Sequence, residues 1–243
     1  MKNCLSIEDT FSFSCQSNLK CFNSCCKNIN LYLTPYDIIR LKQRLGIKSQ
    51  QFLDIYTIPL FMKEIGHPVV ILRMVDDLER TCHFVSSSGC RIYEDRPWSC
   101  RIYPLEPLSK DFKGQISFAI VNNPDCLGFN KSRRNTVKKW IHSQRIAFYD
   151  EMNKLWSEIT LNQKIDSLIP FTKEQQDQFF MASYDMDRFR EYVLNTDFIT
   201  TYELDKKLLN QITKDDVALF TFGVRWLKTV LFGESWRCER ILN

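Results

Sequence analysis

Hydrophobic positions recur at two different spacings along this chain, and the change between them divides it. Thr34-Pro35-Tyr36-Asp37 supplies a capping hydroxyl, a proline for the first helical position and an acidic first turn. Ile38, Ile39, Leu41 and Leu45 then form one apolar stripe, and Gly46 is placed to end the helix. A second short helix is expected after Ser49, burying Phe52, Leu53 and Tyr56, with Pro59 limiting its extent.

From Pro68 the texture becomes extended. Val69-Val70-Ile71-Leu72 is apolar and largely β-branched, and Cys82-His83-Phe84-Val85 reads as a short strand. Ser86-Ser87-Ser88-Gly89 turns the chain back at Cys90-Arg91-Ile92-Tyr93, which brings Cys82 and Cys90 to the flanks of one hairpin. Trp98 to Tyr103 is expected to form one helical turn before Pro104, and Gln115 to Val121 a strand. Asn122-Asn123-Pro124-Asp125 then loops to Cys126.

Beyond residue 130 the pattern is helical, with Trp140, Ile141, Ile146, Phe148, Tyr149, Met152, Leu155 and Trp156 on apolar positions of one long charged segment. Thr172-x-x-Gln175 has the form of a capping box, Asp185 begins another acidic start, and a last helix follows Thr213-Lys214-Asp215-Asp216 and runs to Phe232-Gly233. Strand signals are confined to the first half and the second half is helical, so the expected class is α+β, with a cysteine-bearing domain at 1–130 packed on a helical region at 131–243.

The cysteines change this picture most. Eight of ten fall in one pattern: Cys15, Cys21, Cys25 and Cys26, then Cys82, Cys90 and Cys100, then Cys126. Thiolates are metal ligands, and four complete one tetrahedral site or hold one iron–sulfur cluster, so these eight are the candidate ligands. A disulfide framework would use the same residues in an exported chain, yet the opening Met1 to Asp9 contains no apolar run of a signal peptide. A cytoplasmic setting with reduced thiols is therefore expected. Cys4 and Cys238 stand apart from the pattern as free thiols.

Spacing alone leaves the metal open. Cys21-x3-Cys25 suits a structural zinc site, and short-spaced cysteines with a remote fourth suit a 4Fe-4S cluster equally. Either centre is anionic, and Arg91, Arg96 and Arg101 stand beside the ligands in sequence as counter-charges. Phe84, Tyr93, Trp98 and Tyr103 would keep water from it, a service that matters more to a cluster than to inert zinc, so iron–sulfur is the expected cofactor and zinc its rival. His83 adjoins Cys82, but alternation along a strand turns it to the opposite face, toward solvent.

Other classes find less support. Lys+Arg 33 against Asp+Glu 29 gives a formal charge of only +4, and the run Lys131, Arg133, Arg134, Lys138 and Lys139 beside Trp140 reads as a solvated helix face rather than a nucleic-acid surface. Val217 to Val224 is apolar but far too short to span a bilayer, so no membrane is expected. In the zinc alternative the metal is a staple and the helical half binds a protein partner. No nucleophile and base can be paired from sequence, which leaves catalytic residues unassigned.

Gly89-Cys90-Arg91-Ile92-Tyr93-Glu94-Asp95-Arg96-Pro97-Trp98-Ser99-Cys100-Arg101-Ile102-Tyr103-Pro104, together with Phe13-Ser14-Cys15, Cys21-x3-Cys25-Cys26 and Asp125-Cys126-Leu127-Gly128, resembles the YkgJ-type cysteine-cluster family. Leu127 stands where that family carries proline, and the likeness covers about the first half of the chain. The resemblance implies zinc or iron–sulfur binding, and the family is similar to the domain of flagellin lysine N-methylases. A methyl-donor site would be expected to show a glycine-rich loop, and a chain with 7 glycines shows none.

Overall fold

The computed structural model describes residues 4–62, 65–110, 116–130, 132–165 and 171–236. In chain order they form β1 (Thr10–Ser12), β2 (Tyr32–Leu33), α1 (Pro35–Leu45), α2 (Ser49–Tyr56), β3 (Thr57–Met62), β4 (His67–Leu72), β5 (Val85–Ser86) and β6 (Gly89–Cys90). There follow α3 (Trp98–Ile102), β7 (Leu105–Lys110), β8 (Ile116–Ile120), β9 (Arg134–Thr136), α4 (Val137–Ser143) and α5 (Ile146–Thr160). The C-terminal part is helical: α6 (Lys173–Tyr184), α7 (Met186–Asn195), α8 (Phe198–Thr201), α9 (Lys206–Lys214) and α10 (Asp216–Phe232). The class is α+β, as expected from the segregation of strand and helix signals. Among the described residues no helix is long and apolar enough to cross a membrane.

Two compact units are assembled from alternating stretches of chain, one from Met1–Asn30 with Met74–Asp150, the other from Leu31–Arg73 with Glu151–Asn243. The first contains every pattern cysteine. Its core joins Phe11, Phe13, Ile102, Leu105, Phe118, Val137 and Ile146. Phe11 and Phe13 reach that core together because residues two apart on an extended chain share a face. β1 pairs antiparallel with β9, Phe11 opposite Asn135, and β7 pairs antiparallel with β8. Phe13 meets Tyr103 and Trp140 edge-on at ring separations of 5.8 and 5.6 Å.

In the second unit the sheet order is β2-β4-β3. β4 is central, which explains its unbroken apolar run: Val69, Val70 and Leu72 are all buried. Thr34 and Asp37 exchange the two hydrogen bonds of a capping box at the start of α1, and Gly46, at φ 65, closes that helix in the left-handed conformation. Thr172 and Gln175 do the same for α6. The helices bury Trp226, Tyr184, Phe179, Phe189, Phe220 and Phe222, with the Trp226 ring stacked 5.3 Å from Phe189.

Three local expectations are revised. Pro59 does more than limit α2: Thr57 accepts the helix end, its hydroxyl donating to the Leu53 carbonyl at 2.7 Å, and the chain continues as β3 with Pro59 inside it. β3 is an edge strand, where a missing N–H is tolerated. The long helical segment after residue 136 is two helices, because Arg145 adopts φ 53 between α4 and α5. The Cys82-to-Val85 stretch is a turn, closed by the Val85 N–H to Cys82 carbonyl bond at 3.2 Å, and only Val85 and Ser86 belong to the strand.

Candidate metal centre

Backbone pairing carries the cysteines toward one another. Where β1 ends, the Phe13 N–H donates to the Arg133 carbonyl and the Ser14 N–H to the Gly128 carbonyl at 3.0 Å, which fixes Cys15 beside the loop that bears Cys126. From that loop the Leu127 N–H donates to Cys21 Sγ at 3.2 Å. Cys25 and Cys26 lie on a single 3-10 turn, Ser24–Cys26, entered through Asn23 in the left-handed conformation at φ 68. Asn23 in turn donates from its side chain to the Ser86 carbonyl at 2.8 Å, tying this turn to the hairpin.

Cys82 arrives from the other direction. Its N–H donates to the Cys26 carbonyl at 2.8 Å, and its sulfur accepts from the Phe84 N–H at 3.5 Å. Two residues, Ser87 and Ser88, turn the chain between β5 and β6, so that Cys90 faces Val85 across the ladder. Gly89 holds φ 112, a backbone that favours glycine, and a Cβ there would lie 3.2 Å from the Phe22 ring, which would have to give by a few tenths of an ångström. Cys100 sits on the single turn of α3.

The sulfurs act on one another electrostatically. Burial raises the Cys15 thiol, and Cys25, Cys126 and Cys21 add to the rise. The neighbouring Cys26 thiol draws Cys25 down to about 7 and is itself pushed up; burial and the charges of Cys25, Cys82 and Cys100 raise Cys26 further. Burial also raises Cys82 and Cys90, with Cys90 acting on Cys82 and Cys25 on Cys90. All eight pattern cysteines are thus linked in one network. Cys15 and Cys25 are exposed and the other six half-buried, while Cys4 is exposed and outside the network. Cys238 falls outside the described residues.

The flanking arginines divide their roles. Arg91 and Arg96 both lower Cys90, and Arg91 lowers Cys82, as counter-charges should. Arg101 is instead buried and donates to the carbonyls of Arg96, Gln144 and Glu94, with its guanidinium over the Tyr149 ring. Phe84 is buried beside Cys82 and Trp98 is half-buried, but Tyr93 is exposed and lies against Arg96, so it does not shield sulfur. Tyr103 carries a buried hydroxyl that lacks a hydrogen bond of full geometry; burial raises it, and Cys126 raises it further.

His83 is half-buried rather than solvent-facing. The alternation argument fails because residues 83 and 84 form the turn, where successive side chains need not oppose. In the basic run, Arg133, Arg134, Lys138 and Lys139 are exposed, Lys138 lying 3.5 Å from Glu8. Trp140 packs instead on Phe11 and Phe13 and donates to the Ile102 carbonyl. Lys131 falls outside the described residues.

A family model of the CxxCxxCC type, described as a "Putative zinc- or iron-chelating domain", matches residues 14–138, just over half of the chain. The chain belongs to the CxxCxxCC family. No curated protein and no solved structure matches it. The CxxCxxCC stretch takes in all eight pattern cysteines and leaves Cys4 and Cys238 outside, which agrees with the YkgJ-type resemblance.

The donor chemistry of this CxxCxxCC domain fits a thiophilic metal or cluster. Sulfurs that raise each other's proton affinity are stabilised as thiolates by a cation, and N–H groups aimed at Cys21 and Cys82 supply the outer hydrogen bonds such ligands use. Those backbone donors have no sequence signal, since any residue but proline provides one. Among the described residues no group of three or more His, Cys, Asp or Glu is arranged to hold a metal ion as it stands.

Gly128 links this site to the core. A Cβ at Gly128 would lie 2.8 Å from the Phe13 ring, which is buried against Tyr103, Phe129 and Trp140 and cannot swing aside. Gly128→Ala is expected to cost about 1–3 kcal/mol through overpacking and to loosen the Cys126 loop. Urea denaturation checks this, and an unchanged midpoint would show that the ring yields.

Proposed function

We propose that this chain is a cytoplasmic metal-binding protein in which Cys15, Cys21, Cys25, Cys26, Cys82, Cys90, Cys100 and Cys126 hold iron as iron–sulfur. The observation that supports the reading is that all eight lie within the residues that match a chelating family, where backbone bonds bring Cys21 to the Cys126 loop and Cys82 to Cys26. Iron over zinc is supported by the backbone donors to Cys21 and Cys82, since hydrogen bonds to ligand sulfurs set the potential of a cluster. Arg91 and Arg96 offset part of the negative charge. When bound, such a centre supplies one-electron chemistry, and the chain's own residues orient the ligands and limit water through Phe84 and Tyr103. A redox or protein-modifying reaction is the role proposed for it.

Purification without oxygen, followed by elemental analysis and a visible spectrum, tests the proposal. Iron with inorganic sulfide and broad visible absorption is the expected result. A colourless protein containing zinc would replace it with the structural-zinc reading, in which the helical half binds a protein partner. A protein that contains neither, and takes up neither on reconstitution, would reject metal binding altogether.

A further inference from the structure

From Ile55 to Met62 the chain carries no charged residue, and most of this stretch is β3, an edge of the β2-β4-β3 sheet. Ile58, Pro59, Leu60 and Phe61 are all exposed, four consecutive apolar side chains spread over both faces of one strand, and Ile55 is exposed just before them. A single exposed apolar residue is ordinary, but an uncharged apolar edge is a template for pairing with another chain.

The hydrogen bonds to β4 determine which backbone groups that edge offers. Arg73 donates its N–H to the Tyr56 carbonyl at 2.8 Å, so every second residue from Tyr56 bonds to β4, and residues 57, 59 and 61 turn their backbone groups outward. Thr57 is already engaged: its N–H donates to the Leu53 carbonyl and its own carbonyl accepts from the Arg73 guanidinium at 2.9 Å. Pro59 has a carbonyl and no N–H, while Phe61 has both. Among the described residues, the outer edge of β3 therefore offers one donor, at Phe61, with acceptors at Pro59 and Phe61.

We infer that β3 is the seam of a two-fold dimer, in which it pairs antiparallel with β3 of a second copy. In that arrangement each Phe61 N–H donates to the Pro59 carbonyl of the other copy, a reciprocal pair of bonds of the kind a two-fold axis generates. The same register sets Leu60 against Leu60 on the axis and Ile58 against Met62 on either side, so every facing side chain on that surface is apolar. A strand without charge carries no sign by which to select an unlike partner, whereas its own copy matches it in apolar character on both faces. β3 belongs to the second compact unit, which holds no pattern cysteine, so the inference stands apart from the metal reading.

Sedimentation velocity of the full chain over a concentration series tests it, and a monomer–dimer equilibrium is expected. Leu60→Lys sets two ammonium groups against each other at the axis and should weaken the dimer about tenfold or more. Phe61→Pro removes the one outward donor without removing a bond to β4, and should weaken it as well. Leu78→Lys, at a fully exposed leucine of the first unit, should leave association unchanged. Circular dichroism reports whether each variant keeps its helices. Leu60→Cys gives a second measurement, since directly opposed residues of such a pair have Cα atoms about 4.5 Å apart, within disulfide reach; oxidation should join that position to its own counterpart, as mass mapping would show. A wild-type chain that stays monomeric throughout, or that grows into larger assemblies, would overturn the inference. So would a dimer that both β3 variants leave as tight as before, one that Leu78→Lys weakens equally, or a Leu60→Cys chain that never joins to its counterpart.

Discussion

Lys42→Ala is expected to lower the stability of the second compact unit by about 3 kcal/mol, near the lower end of the cost of removing one partner from a buried ion pair. Lys42 is only 6% exposed, and its ammonium lies 2.9 Å from Asp187 and 3.0 Å from Asp216. Three helices, α1, α7 and α10, meet through that one group. Arg190 also reaches both carboxylates, 3.1 Å from Asp187, which is why the loss falls at the lower end. Ser49 donates its N–H to Asp187 at 2.6 Å, and Gln43 donates to Asp216. Lys42→Met, which keeps the volume, should lose nearly as much, because the cost is uncompensated charge rather than a cavity.

The same cluster sets an acid dependence. Burial pushes the Asp187 and Asp216 carboxyls up, but the Ser49 amide, Lys42 and Arg190 together outweigh it and hold both below the ordinary aspartate value. A depressed folded-state pKa contributes stability that is fully present above the unfolded value, about 3.9, and is lost as pH falls through the folded one. The Lys42→Ala penalty should therefore start to shrink below about pH 4, where the unfolded-state acids take up protons, and go on shrinking as pH falls through the lower folded-state values. Urea titrations at pH 7 and pH 3.5 measure it. An equal penalty at both would show that the packed alkyl stem of Lys42, not its charge, is what matters.

Removing the proposed metal is expected to have a still larger effect, confined to the first unit. Its cysteine-bearing stretches, 14–30, 81–103 and 122–130, carry little regular structure, and a bound structural metal contributes about 10–16 kcal/mol of apparent folding free energy in small domains. The second unit contains no pattern cysteine, and its aromatic core does not depend on ligation. A chelator under reducing conditions is expected to open those stretches to limited proteolysis while α6 to α10 stay resistant, as mass mapping of the fragments would show. Equal resistance before and after would mean that the cysteine loops stand on their own packing.

Much of the local structure was legible because its signals are local. Thr34, Pro35 and Gly46 bracket α1 by capping and conformational rules that act within one turn, as do Thr172 and Gln175 for α6 and Gly233 after α10. The serine-rich turn before Cys90 and the strand within 115–121 follow from similarly short-range chemistry. What was not legible depends on distant partners. β1 has three residues and exists only by pairing with β9, more than a hundred residues away, while β7 contains Pro107 and takes its strand form from β8. For the site, sequence identified the candidate sulfurs but not the N–H donors of Leu127 and Phe84 or the buried role of Arg101, each of which arises only once the chain has folded back on itself.

The alternation of chain between the two units bears on how the protein can be dissected. A fragment ending near residue 130 would carry every pattern cysteine yet would also carry Leu31–Arg73, stripped of the helices from Glu151 onward that complete their unit. Val69, Val70 and Leu72 would then lose companions they are buried among, leaving a greasy insertion in the middle of the truncated polypeptide. A dissection that respects the elements instead joins Asn30 to Met74, next to Leu31 and Leu72, which are hydrogen-bonded to each other, and runs on to Thr160 so that α5 is left whole.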